Sequence, residues 1–99
     1  MKLQIQSIHF DADKKLLEFI QKKLDKLDTF YDRILGSEVF LKLENGEKKD
    51  NKAVHVKVNI PGNIIVAKEL GGTFEEAVDK VLENLKMQII KQKQRAASY

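Results

Sequence analysis

Ala53-Val54-His55-Val56-Lys57-Val58-Asn59-Ile60-Pro61-Gly62 is the stretch that decides the fold. Val54, Val56, Val58 and Ile60 alternate with Ala53, His55, Lys57 and Asn59, the period of a strand with one face buried and the other wet. Pro61-Gly62 fits the centre of a type II turn, where proline presets the first φ and glycine accepts a positive second one. The chain therefore folds back into a partner strand, whose apolar positions are expected at Ile64, Val66 and Leu70. Gly71-Gly72 breaks that strand. Thr73 with Glu76 then forms a capping box ahead of a helix with the apolar seam Phe74, Val78, Val81, Leu85 and Ile89.

Upstream of the hairpin, Lys2 to Ile8 sets Leu3 and Ile5 against Lys2, Gln4 and Gln6, again at a strand's period. Asp13 is a plausible N-cap, after which Leu16, Leu17, Ile20, Leu24, Leu27 and Tyr31 follow helical spacing to an end near Thr29 to Asp32. Gly36 opens a further strand, Glu38 to Glu44, with Val39, Leu41 and Leu43 alternating against Phe40 and Lys42. A polar loop, Asn45 to Asn51, follows it. The order is strand, helix, three strands, helix. A right-handed crossover makes the first two strands parallel, and hairpins join the rest. Each helix has one apolar stripe, so both belong on one face of a four-stranded mixed sheet in an α+β fold, and the other sheet face stays open.

The 99 residues, 42% hydrophobic and 33% charged, suit one globular domain over residues 1–95 with a tail, 96–99, that frays. No apolar run approaches the length of a membrane span, and the first ten residues lack a signal peptide's apolar core, so the cytoplasm is the expected compartment. The absence of cysteine removes disulfide, thiolate and zinc-finger chemistry together. His9, Asp11 and Asp13 have a ligand-like alternation, but three neighbouring ligands without a distant partner make a weak site, and Asp13 is needed as a cap. Gly71-Gly72-Thr73 lacks the lysine and spacing of a nucleotide loop and is better read as a strand-to-helix joint. No cofactor, small-molecule substrate or enzymatic activity is expected.

The net charge is only +3, so affinity for a polyanion must come from arrangement. Lys15, Lys22 and Lys26 fall within about 40° on the first helix, with Lys23 to one side. On the second helix Lys80, Asn84, Met87 and Lys91 fall within about 60°, while Lys86 and Lys93 lie elsewhere around it. After Glu83 there is no acidic residue, only Lys86, Lys91, Lys93 and Arg95. If the helices pack side by side, the two stripes are expected to meet in the outer groove between them and to grip a phosphate backbone.

The block Lys22-Lys23-Leu24-Asp25-Lys26-Leu27-Asp28-Thr29-Phe30-Tyr31-Asp32-Arg33-Ile34 resembles the first-helix signature of the bacterial ribosome hibernation-promoting factors. That group is also labelled ribosome-associated inhibitors or sigma-54 modulation proteins. The resemblance continues through Val66-Ala67, Thr73 to Asp79 and Leu85 to Lys91, and in element order covers essentially the whole chain. It implies a β-α-β-β-β-α domain, close in shape to a double-stranded-RNA-binding domain. It also implies a partner, the small ribosomal subunit, with rRNA contacted through basic helix residues in the mRNA and tRNA channel and translation silenced by occupancy. The rRNA contacts are then Lys15, Lys22, Lys23, Lys26, Lys80, Lys86, Lys91, Lys93 and Arg95. Asn84 and Met87 stand where the family's second-helix motif has a lysine and an arginine, shifting the expected contacts toward the first helix and the tail. By resemblance the chain is the short form, which leaves ribosome pairing to a separate factor. Two rival readings are a general double-stranded-RNA binder and a protein-interaction module using the open sheet face with Phe40, Lys42, His55 and Lys57.

Overall fold

The computed structural model describes residues 1–44 and 50–97, with side chains as far as Gln94 in the last helix. Residues 45–49 of the expected polar loop, and Ser98 and Tyr99 of the expected tail, lie outside the described residues. The elements are β1 (Leu3–Ile8), α1 (Lys14–Phe30), β2 (Gly36–Leu43), β3 (Lys52–Ile60), β4 (Asn63–Gly71) and α2 (Phe74–Ala97). The last helix thus includes Ala96 and Ala97, two positions that the sequence assigns to the tail. The strands form one sheet in the order β1-β2-β3-β4, with β1 and β2 parallel and the other neighbours antiparallel.

Each helix begins as its cap residues dictate. Asp13 accepts from the Leu16 N–H at 2.8 Å, satisfying one of the donors that a helix start leaves open. Thr73 accepts from the Glu76 N–H at 3.0 Å, while the Glu76 carboxylate reaches back one residue beyond the usual capping-box partner to the Gly72 N–H at 3.3 Å. Gly71 is required by close approach: a Cβ there would meet Ala77 N at 2.8 Å and Thr73 O at 2.9 Å. The core lies between the sheet and both helices. Ile20, Leu24 and Leu27 of α1 and Val78, Val81, Leu85 and Ile89 of α2 bury against Val39, Leu41, Val54, Val56 and Val58.

The returning strand has the opposite phase to the one the sequence suggests. Gly62 takes φ 77°, as the turn requires, and the turn pairs Ile60 with Asn63. Val58 then faces Ile65 and Val56 faces Ala67, and directly opposed residues share a sheet face. Ile65 and Ala67 are therefore buried, while Ile64, Val66 and Leu70 stand exposed on the open face. Their hydrophobicity marked a strand without marking its buried side.

The outer edge of β4 is occupied by side chains rather than by a further strand. Lys80 Nζ donates to Leu70 O at 2.9 Å, Gln88 Nε2 to Val66 O at 2.8 Å, and the Ile64 N–H donates to Asn63 Oδ1 at 2.8 Å.

Candidate nucleic-acid interface

The basic surface of α1 follows from how its two flanks are used. Asp25 and Asp28 turn toward the β1 edge, where the α-amino group of Met1 pairs with both and the Gln21 amide donates to Asp25 at 2.9 Å. The Asp28 carboxylate, hydrogen-bonded to that amine, holds it above its usual range against the opposing effect of desolvation. On the other flank Lys23 crosses to α2, 3.2 Å from an Asp79 carboxylate oxygen and 5.4 Å from the centre of the Phe19 ring. Lys15, Lys22 and Lys26 occupy the remaining outward quadrant, on the α2 side. All three are exposed, and among the described residues none is ion-paired with a carboxylate.

Helix α2 turns a different flank to α1 from the one expected. Lys80, Asn84 and Gln88 lean over β4: Asn84 Nδ2 donates to Glu69 at 2.9 Å, and Lys80 also lies 3.5 Å from Glu76. Lys91 shares this side, lining a hollow with Asn63, Ile64, Gln88 and Gln92. The stripe of Lys80, Asn84, Met87 and Lys91 therefore faces the β4 edge and does not meet the α1 row. The interhelical flank carries Asp79, Lys86 and Lys93, spaced seven residues apart and so within about 40° of one another. Lys86 lies 3.8 Å from Glu83. Lys93 reaches the end of α1, donating to Phe30 O at 2.8 Å with its ammonium 4.8 Å from the Phe30 ring centre and 5.8 Å from that of Tyr31. Helix α1 has no basic residue in its own last turn, so Lys93 supplies the cation that its negative dipole end favours. Arg95 lies in α2, and its side chain is outside the described residues.

Because Lys23 meets Asp79 and Lys93 meets Phe30, the two helices run side by side in the same direction. The geometry thus brings together Lys15, Lys22, Lys26, Lys86 and Lys93, engages Lys23 with a carboxylate across the seam, and sends Lys80 and Lys91 to another side. Such a row has the charge to match a repeating anionic backbone; no cluster of metal ligands occurs among the described residues.

A family model described as sigma 54 modulation protein / S30EA ribosomal protein matches residues 3–97. The chain belongs to this family. It is 30% identical over 95 residues to the ribosome hibernation promoting factor of Escherichia coli strain K12, covering 96% of each protein. It is also 30% identical over 95 residues to the ribosome hibernation promotion factor of Deinococcus radiodurans, where the match covers 93% of this chain but 49% of the relative, so the chain spans about half of that protein's length. Among solved structures, a ribosomal subunit interface protein from Coxiella burnetii superposes with a TM-score of 0.83 at 26% identity, covering 95% of this chain and 99% of that one. The N-terminal domain of Thermus thermophilus Protein Y shares the fold, with a TM-score of 0.76 at 20% identity over 90% of this chain and 96% of that one. The family expectation and the four-stranded α+β architecture both hold.

The open sheet face carries Phe40, Lys42, His55 and Lys57, as expected, and also Lys68, a cation that the sequence reading missed. Lys68 pairs in register with His55, a neighbour that the hairpin turn alone would have revealed.

Proposed function

We propose that this protein is a non-enzymatic, ribosome-associated hibernation factor acting in the cytoplasm, which occupies the mRNA and tRNA channel of the small subunit and silences translation. The observation that carries the reading is the row of Lys15, Lys22 and Lys26. Asp25 and Asp28 are drawn to the Met1 amine and Glu18 lies 3.8 Å from Lys14, while Lys86 and Lys93 extend the row across the seam. In this reading these five residues contact rRNA phosphates, with Lys23, Lys80, Lys91 and Arg95 at the margins. Phosphate contact needs preorganised cations and no acid–base chemistry, so inhibition is by exclusion of the normal occupants. The names of the relatives, hibernation factors and a subunit interface protein, support the same assignment.

Co-sedimentation with purified small subunits near 50 mM salt is the direct test, together with inhibition of translation in a reconstituted system. Binding and inhibition should fall together in Lys22→Glu/Lys26→Glu. Absence of co-migration with intact subunits at low salt overturns the proposal. Efficient displacement by an unrelated RNA duplex would instead assign the surface to double-stranded RNA in general.

A further inference from the structure

The sheet face opposite the helices carries its own cationic hollow, which the helix row does not use. Strand register places Phe40 beside His55, Lys42 beside Ala53 and His55 beside Lys68. Ala53 is the small residue among these, and the larger side chains around it wall a depression of about 350 Å³. Two of its walls are aromatic: the Phe40 and His55 rings lie 6.0 Å apart at 49°, and Lys57 Nζ is 5.9 Å from the Phe40 ring centre. Its rim is basic, formed by Lys42, Lys57 and Lys68. One carboxylate, Glu44, borders the hollow, and Lys68 engages it at 2.9 Å. Lys42 and Lys57 make no close ion pair among the described residues, although Glu38 stands opposite Lys57 in register and Lys42 acts on Glu44 from a distance; three lysines against one carboxylate in the lining leave the hollow net positive.

We infer that this hollow binds a segment of unpaired RNA, with a base stacked on Phe40 and the adjoining phosphates held by Lys42 and Lys57. A flat sheet face with an aromatic platform and flanking ammonium groups suits a strand whose bases are splayed out, because every base has a stackable face and every linkage carries a charge. An acidic peptide would satisfy the lysines and leave the ring without a matching flat partner. The protein then has RNA-binding surfaces on both sides of its sheet.

The test uses the whole protein and an eight-residue oligouridylate at low salt, followed by amide NMR shifts and fluorescence anisotropy. Shifts should cluster at Phe40, His55, Lys57 and Lys68, and Phe40→Leu should weaken binding at least fivefold, the lower range for removing a stacked base. Lys42→Gln/Lys57→Gln, which leaves the packing of the sheet in place, should weaken binding and flatten its salt dependence even where the Phe40 variant folds poorly. Lys22→Glu/Lys26→Glu should keep the shifts at the sheet while losing subunit binding, so the failure of one surface is distinguishable from failure of the other. Shifts confined to the helices, indifference to both sheet variants, or equal affinity for a glutamate decapeptide would overturn the inference.

Discussion

Replacing Lys22 and Lys26 with glutamine removes two ammonium groups from the row without adding repulsion, and the effect is best read from salt dependence. Each neutralised phosphate contributes a slope of about −0.9 to log K against log salt on a duplex. Five contacts, Lys15, Lys22, Lys26, Lys86 and Lys93, therefore give a slope near −4.5, or roughly a 500-fold loss of affinity between 50 and 200 mM salt. With three contacts left the slope becomes about −2.7 and the loss over the same range about 40-fold. The structure also dictates the control. Lys80→Gln/Lys91→Gln makes the same change of charge on the β4 flank of α2 and should leave the slope nearly at its original value. Quantitative co-sedimentation with small subunits at four or five salt concentrations measures all three proteins. Equal slopes for the Lys22/Lys26 variant and the parent would refute the argument, as would a larger drop for the Lys80/Lys91 variant.

Asp79→Asn should release Lys23 from its 3.2 Å ion pair and remove a negative charge from the seam, so binding tightens and the slope steepens by up to about one contact's share in the same salt series. Gly71→Ala places a methyl group 2.8 Å from the Ala77 nitrogen. Overpacking of this kind should cost about 1–3 kcal/mol, measured by urea unfolding. Thr73→Ala removes the acceptor for the Glu76 N–H and should cost about 1 kcal/mol in the same assay. The Glu44 carboxyl is held below its ordinary value of 4.5, chiefly by its hydrogen bond with Lys68. A group whose folded value is lowered stabilises the fold above its unfolded value and loses that contribution as pH falls through the folded one. An NMR titration should place its midpoint below 4.5 and return it toward that value in Lys68→Gln; an unchanged midpoint in the variant would assign the shift elsewhere.

The alternation of β3, the caps at Asp13 and Thr73 and the helical spacing of both apolar seams were legible because each is a local constraint written in neighbouring residues. The side of β4 was not legible from hydrophobicity, since Ile64, Ile65 and Val66 are all apolar and only the turn register selects Ile65. That register was available in Pro61-Gly62: a two-residue turn pairs Ile60 with Asn63 and every other partner follows. The grouping of lysines on α1 could be read from a helical wheel because its buried centre is unambiguous. On α2 the wheel grouped Lys80 with Lys91 correctly but could not say which neighbour that flank would meet. Gln88 and Asn84 settle it by reaching β4, through long-range hydrogen bonds that have no signature in local spacing. The resemblance of the Lys22 to Ile34 block pointed to the family.

The three polar groups laid along the margin of β4 have a bearing on how the molecule behaves in quantity. An unguarded margin there would be a template for another copy's strand, and its apolar Ile64, Val66 and Leu70 would favour stacking of successive copies. With Leu70 O and Val66 O held by Lys80 and Gln88, and the Ile64 amide by Asn63, a newcomer must first displace three hydrogen bonds already made. The margin of β4 is thereby a poor template for the growth of fibres.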